Sequence, residues 1–403
     1  MNKKLNIMIS INRMSTGGSA TYVISLANEL KQRGHRVTVV STGGVLVEEL
    51  TKSGIKHCTV KMLLYGSASS EPVTNGARYL ASIISSWIIR PWRVLRFFIS
   101  VIQFIKIIKC KNINVIHSNQ PGPTLITYLA SQITRVPFVT TVHGTLRTEF
   151  PPIGLRFIRK KFRKIIVISD EIKEHLIMNY QIDARKIAVI YNGIDLKKFY
   201  SDVNMTGLNT GNLTNLKRVA HIGGSGGGGL TSMLKAVPII AQKVPDVEVV
   251  IPSADGEINI LARKINQEFD REVVKIMRPT KDIIDIINSS EVVVAIGRSA
   301  LEAMACGKPV VIAGRRTGPF GGSFGGIISK DNVPEIKKYN FSGRNSSEVT
   351  SPENIAEAII KLLTDDNYRQ EVGAFGRKIV EEEFNIEKIA GQMENVYLEV
   401  LEK

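Results

Sequence analysis

Cysteine is scarce, with three in 403 residues, at positions 58, 110 and 306. An odd number so widely spaced builds neither a disulfide framework nor a thiolate zinc site, and a reducing cytosol is the expected setting. Long apolar runs are missing as well. The two best, YLASIISSWII (79–89) and FFISVIQFI (97–105), fall short of the ~20 residues of a spanning helix. The opening MNKKLNIMISIN lacks a small-residue cleavage site and reads as a first strand, not a secretory signal. No Gly-x-Ser-x-Gly, no Gly-x-x-x-x-Gly-Lys-Ser/Thr and no strand-end Asp-x-Asp occurs, and the six histidines fall at no ligand spacing. These absences argue against nucleophile-elbow hydrolases, P-loop enzymes and a metal centre. Acid is absent from Pro72 to Thr148.

What is present is charge of one sign, unevenly placed. Residues 1–200 hold 29 Lys+Arg against 10 Asp+Glu, a net +19, whereas 201–403 hold 24 against 27. The first half is therefore expected to face an anionic partner, a membrane surface or nucleic acid. A chain of this length, 43% hydrophobic, is expected to form two domains with a core each. Apolar runs recur at LNIMISI (5–11), VTVVS (37–41), NVIHSN (114–119), PFVTTVHG (137–144), KIIVIS (164–169) and KIAVIYNG (186–193). After a polar, Asn- and Gly-rich linker (201–216) they resume at RVAHIGG (218–224), VEVVIPS (247–253), VVKIMRP (273–279), EVVVAIG (291–297) and PVVIAG (309–314). Strands of this kind, separated by helix-period stretches such as 19–33, predict an α/β protein of two tandem Rossmann-like, doubly wound domains. The expected boundaries are 1–200 and 217–384, followed by an amphipathic helix over 385–403. Ligands in such sheets bind beyond the carboxyl ends of the strands.

Three segments resemble landmarks of the GT-B glycosyltransferases of retaining family 4 (group 1): STGGSATYVISLANELKQRGHRVTVVS, VISDEIKEHLIMNYQIDARKIAVIYNGIDLKKF and ALEAMACGKPVVIAG, in the expected order. GRSALEA (297–303) and NFSGR (340–344) are further similar to one sub-group. The resemblance implies a cleft between the two domains. It also implies a basic N-terminal acceptor domain, a C-terminal nucleotide-sugar domain, and a last helix that crosses back to the first domain. It implies that Glu302 binds the ribose of a UDP- or GDP-linked sugar, a co-substrate, with no cofactor and no metal. From the residues alone, Glu302 reads either as a carboxylate that grips a vicinal diol or as a favourable acid in a helix's first turn. The Gly297-Arg298-Ser299 turn offers backbone N–H groups to a phosphate, with Arg298 as the cation beside it and Arg315 and Arg316 in reserve.

His143, ending a strand, is where the resemblance implies a contact with the transferred sugar; a histidine there is otherwise structural. Gly17 and Gly18 read as the loop approaching the diphosphate, or as a bare strand-to-helix turn. The Asn192–Asp195 turn is read as structural. Two departures from the family pattern stand out. The position eight before Glu302, usually a second glutamate, is Val294, and the loop after the seventh apolar run reads GGSGGGGL (223–230) with no Arg or Lys. The backbone of Gly223, Gly224 and the glycines that follow is left as the anion-binding element.

The segment from Trp87 and Arg90 through Trp92, Arg93, Arg96, Lys106, Lys109 and Lys111 combines aromatic and aliphatic residues with cations. That is the composition of a helix in an anionic lipid interface, or of one whose apolar side packs on the sheet. RFIRKKFRK (156–164) repeats the theme. No nucleic-acid-binding signature is present. The expectation is a bacterial cell-envelope enzyme, cytoplasmic and peripheral on the inner membrane face, that transfers a sugar to a lipid-linked saccharide or cell-surface polysaccharide. The alternatives are a catalytically silent GT-B protein that binds membrane or a partner glycosyltransferase, and, behind it, an epimerase-like enzyme.

Overall fold

The computed structural model describes residues 4–62, 91–144, 162–201, 216–223, 228–252, 256–278, 283–314 and 323–402. Two compact units divide the chain, Met1–Gly193 with Ile386–Lys403, and Ile194–Asn385.

The first unit contains β1 (Asn6–Ser10), α1 (Gly18–Gln32), β2 (Arg36–Ser41), α2 (Val47–Lys52), β3 (Lys56–Thr59) and α3 (Pro91–Cys110). It continues through β4 (Val115–Asn119), α4 (Pro121–Thr134), β5 (Phe138–Val142), β6 (Lys164–Val167), α5 (Asp170–Tyr180) and β7 (Ile187–Val189). The strands form one parallel sheet in the order β3-β2-β1-β4-β5-β6-β7. Every residue of β4 and β5 is buried, as strands covered on both faces require. On one face α1 packs Val23, Leu26, Ala27 and Leu30 against Ile7 and Ile9. On the other, α3 packs Phe97, Val101, Phe104 and Ile108 against Met8 and Ile116. Strand order reverses between β1 and β4, so the crevice of this sheet opens at the carboxyl ends of those two strands.

The second unit contains β8 (Lys217–Ile222), α6 (Gly228–Lys243), β9 (Val247–Pro252), α7 (Gly256–Glu268), β10 (Val274–Met277), α8 (Ile283–Asn288), β11 (Val292–Ala295) and α9 (Arg298–Ala305). β12 (Val310–Ala313), β13 (Phe324–Ile327), α10 (Val333–Lys338), α11 (Pro352–Thr364) and α12 (Asp366–Ile379) follow. Its sheet runs β10-β9-β8-β11-β12-β13, with only the edge strand β13 antiparallel. Here the reversal lies between β8 and β11. Ser351 caps α11 reciprocally with Asn354, each side chain bonding the other's backbone, which satisfies two donors that a helix start otherwise leaves open.

The last helix, α13 (Ile386–Glu402), belongs to the first unit and buries Ile389, Met393, Val396, Tyr397 and Val400 in its core. Polar contacts fix it. Arg33 Nε donates to Glu394 Oε2 at 2.9 Å, and Arg163 donates to the Val400 carbonyl at 2.8 Å. Lys164 pairs with Glu399 at 3.1 Å. Of the second basic cluster in the sequence, Phe162, Arg163 and Lys164 are thus structural: Phe162 is buried and the two cations hold α13. Residues 156–161 lie outside the described residues.

At the centre of this attachment His117 is fully buried, with Nδ1 2.7 Å from Tyr397 Oη and Nε2 2.7 Å from Thr141 Oγ1. Two hydroxyls satisfy a neutral ring, one donating and one accepting. Burial pushes its pKa down to about 3, with His143 adding to the shift. Two expectations follow from this network. Tyr397→Phe leaves Nδ1 without a partner and is expected to cost about 1–3 kcal/mol, seen as a lowered urea midpoint of the transition that includes the first unit. The folded state also excludes the imidazolium. The stability His117 contributes is therefore complete above its unfolded pKa of about 6.5 and is lost as pH falls toward its folded value, by about 1.4 kcal/mol per pH unit. Urea midpoints measured from pH 7 to pH 5 should fall accordingly, and an unchanged midpoint would contradict a buried neutral His117.

Candidate active site

In the second unit, β11 ends at Ala295 and only Ile296 and Gly297 separate it from α9. So short a reversal needs an unusual backbone. Gly297 adopts φ 58°, ψ −130°, a conformation closed to residues with a β-carbon. Its N–H donates to the Phe341 carbonyl at 2.7 Å. Phe341 is itself fully buried, edge-on to Phe384 with ring centroids 5.5 Å apart. Asn340 and Phe341 both have φ 53°, which costs free energy for non-glycine residues and marks a segment held by its surroundings. The NFSGR motif thus packs behind the Gly-Arg of GRSALEA and fixes the turn.

The turn starts α9 at Arg298, one helical turn ahead of Glu302. Arg298 Nε donates to Glu302 Oε1 at 2.9 Å, and both side chains are buried. Burial raises the Glu302 pKa, while Arg298, by charge and hydrogen bond, and Lys198, by charge, oppose the rise. The pair places a carboxylate at the β11 edge with one oxygen engaged by arginine. Ser299 is half-buried beside it.

Val294, where a second glutamate is usual, lies wholly buried inside β11, in register with His221 and Val311. The strand continues through that position, and the loop beyond it is two residues long, so no carboxylate is presented there. At the neighbouring edge, β8 ends in His221 and Ile222, followed by exposed Gly223. Burial lowers the His221 pKa to about 4 and keeps the ring neutral. Gly224, like Arg315 and Arg316, lies outside the described residues.

In the first unit, Gln120 follows β4 with φ 80°. Its Oε1 accepts from the Asn12 N–H at 3.1 Å and its Nε2 donates to Ser19 Oγ at 2.7 Å. One side chain therefore joins the ends of β1 and β4 to the start of α1, just after Gly17 and Gly18. The Gly17 carbonyl accepts from the N–H groups of Ala20 and Thr21 and anchors that helix start. His143, one residue past β5, is half-buried. Its Nε2 lies 2.9 Å from Asn119 Oδ1, and Tyr22 meets the ring edge-on at 5.5 Å. An amide oxygen opposite Nε2 requires the proton on Nε2, which leaves Nδ1 as an acceptor. Burial lowers the His143 pKa to about 4. Among the described residues, Asn12 Oδ1 and Asn119 Nδ2 are buried at this edge with no hydrogen-bond partner.

The two glycine turns, His143 and the Arg298–Glu302 pair are thus each placed at a carboxyl edge, one set in each unit. Sequence reasoning missed Asn12, Asn119, Gln120 and His221. The three in the first unit act through partners about a hundred residues away or on the neighbouring strand, and periodicity carries no signal for that.

Residues 16–198 match the family model described as Glycosyltransferase Family 4, and residues 217–365 match Glycosyl transferases group 1. N-acetyl-alpha-D-glucosaminyl L-malate synthase of Bacillus anthracis is 23% identical over 96% of this chain and 95% of its own. UDP-Gal:alpha-D-GlcNAc-diphosphoundecaprenol alpha-1,3-galactosyltransferase of Escherichia coli is 24% identical over 75% of this chain and 79% of its own. Among solved structures, Anabaena Alr3699/HepE in complex with UDP-glucose superposes with TM-score 0.68 at 17% identity, covering 97% of this chain and 99% of that one. With the parallel sheets, the two glycine-bearing edges and both halves matched, the chain belongs to the family 4, group 1 glycosyltransferases and has their GT-B fold.

Proposed function

We propose that the protein is a retaining, metal-independent glycosyltransferase. It takes a sugar from a UDP- or GDP-linked donor and transfers it to a lipid-linked saccharide or cell-surface polysaccharide at the cytoplasmic face of the membrane. The observation that carries this reading is the buried Arg298–Glu302 pair one turn beyond the Gly297 reversal. Glu302 would accept hydrogen bonds from the ribose diol, and Arg298 would hold that carboxylate and supply positive charge beside the diphosphate. In the second unit the backbone N–H groups of Gly223 and Ser299 would face the phosphates, with Gly297, whose N–H is held by the Phe341 carbonyl, shaping the turn; in the first unit the Gly17–Gly18 turn would offer N–H groups to an anion. The UDP-glucose bound by the Anabaena structure and the diphosphoundecaprenol acceptor named for the E. coli relative support the donor and acceptor classes.

In a front-face transfer the bond from the sugar's anomeric carbon to the phosphate oxygen breaks as the bond to the acceptor oxygen forms. The acceptor's proton passes to the departing phosphate. No protein nucleophile is required. The protein's task is to stabilise charge on the leaving diphosphate, and neutral His143, with Nδ1 as acceptor, would orient a sugar hydroxyl. A second reading is favoured by Val294 and by the loop GGSGGGGL, which has no cation: a catalytically silent GT-B protein that binds membrane or a partner glycosyltransferase.

Glu302→Gln keeps the side chain's shape and tests the donor site without stranding Arg298 beside a cavity. Stabilisation of the wild type by one UDP- or GDP-sugar, unchanged by EDTA, is expected. The variant's affinity should fall about 10- to 100-fold, the value of hydrogen bonds to a charged group. No thermal shift with any donor would sink the donor-site assignment and favour the silent reading. Because burial holds the His143 pKa near 4, kcat/KM should show no histidine titration between pH 6 and pH 8. A limb near pH 6.5 that disappears in His143→Asn would contradict a neutral His143.

A further inference from the structure

Helix α3 has two apolar faces. One packs Phe97, Val101, Phe104 and Ile108 into the first unit's core. The other leaves Trp92 48%, Leu95 62%, Phe98 57%, Ile99 42% and Ile102 53% exposed. Spacings of three and four residues bring these five together as one stripe on the helix surface. Ile105 and Ile107 pack partly against the same core, whereas the five residues of the stripe do not belong to it.

Charge identifies the occupant. Arg96, Lys106 and Lys109 are exposed on the same helix, which contains no acid. The Arg96 guanidinium lies over the Trp92 ring, 5.3 Å from its centroid, so cation and apolar stripe present one continuous surface. A second copy of this chain would bring like charge against like, and a protein partner would need a compensating acidic surface. An anionic bilayer meets both demands, acyl chains for the stripe and phosphates for the cations.

The helix also has a defined direction. Ser100 Oγ donates to the carbonyl of Lys61, two residues beyond the end of β3. At the opposite end the Asn6 side chain, at the first residue of β1, donates to the carbonyl of Asn112 at 2.9 Å. α3 therefore begins at the carboxyl edge of the sheet, and its exposed stripe lies in the twelve residues nearest that edge, where Asn12, Asn119 and His143 are.

We propose that the stripe Trp92–Leu95–Phe98–Ile99–Ile102 is a lipid-insertion element that docks the first unit on an anionic bilayer, with the contact at the end of the helix nearest the sheet's carboxyl edge. The inference rests on the membrane-face part of the proposed function and names the element responsible. An interfacial helix sinks its apolar face about 5–10 Å into the headgroup and acyl boundary. That depth accommodates these side chains while the sheet stays in water, and an acceptor sugar carried on a lipid would then meet the edge bearing His143.

The test uses the full chain in a Trp87→Phe background, so that Trp92 is the sole tryptophan, with vesicles of phosphatidylcholine alone or mixed with phosphatidylglycerol. Expected results are sedimentation with the anionic vesicles, a blue shift of Trp92 emission, and quenching by lipids brominated near the headgroup end of the acyl chain. The double substitution Leu95→Asp with Phe98→Asp should weaken partitioning by about tenfold or more and leave the thermal midpoint and donor-sugar stabilisation unchanged. No binding to either vesicle overturns the proposal. So does binding that the double variant retains, or that salt abolishes with no change in Trp92 emission. A dimer in solution that the double variant dissociates would assign the stripe to a second copy and also overturn it. Donor stabilisation is read separately, so failure of the lipid test leaves the glycosyltransferase reading standing, and the reverse also holds.

Discussion

The candidate donor site depends on one backbone constraint, the reversal from β11 into α9 within Ile296 and Gly297. A parallel strand must hand over to a helix lying across the sheet, and two residues achieve this only if one has a positive φ. Because the turn is short, α9 starts at once. Because α9 starts at Arg298, its residue one turn later is Glu302, and the two side chains meet in a buried pair. Burying an isolated carboxylate would favour its neutral form; the arginine opposes this and offsets part of the desolvation cost. The remaining elements near the turn support it from behind, with Phe341 and Phe384 packed in the core and the Phe341 carbonyl holding the Gly297 N–H.

Neutral imidazoles are the counterpart in the first unit. His117 and His143 are each held neutral by burial and by neutral partners, hydroxyls for one and an amide for the other. Neither ring has a carboxylate beside it in the hydrogen bonds described. A general base poised near neutrality would need one, or an exposed ring, to raise its pKa. The environment instead suits an imidazole that orients a hydroxyl, and this agrees with a transfer in which the departing phosphate takes the proton.

The eleven strands legible in the sequence are those whose apolar runs are nearly continuous, such as Val247–Pro252 and Val310–Ala313. Two escaped. Lys56–Thr59 is a polar edge strand, and Phe324–Ile327 reads Phe-Gly-Gly-Ile as an antiparallel edge; edge strands face water on one side and lack the buried signature. The position of Glu302 was visible through its motif. The partner of Arg298 was not assigned, although the i,i+4 spacing permits the pair, because a turn beside a phosphate site suggests a different task for a cation. Gln120 was invisible for another reason: the atoms it joins come from residues 12 and 19, and only the strand order brings them together. The helix from Pro91 shows both readings of its composition at once, one apolar side on the sheet and one exposed.

Orphaned polar atoms add a last physical argument about the first unit's edge. A buried donor or acceptor with no partner costs about 1–3 kcal/mol, and native proteins keep few of them. Asn12 Oδ1 and Asn119 Nδ2 are one acceptor and one donor, both at the carboxyl ends of the two strands where the sheet order reverses. A hydroxyl can donate to the first atom and accept from the second. A sugar, which offers many hydroxyls, could recover both costs on binding, and an apolar ligand could recover neither. Within the proposed function, such a pair would favour a polyhydroxylated ligand over an apolar one.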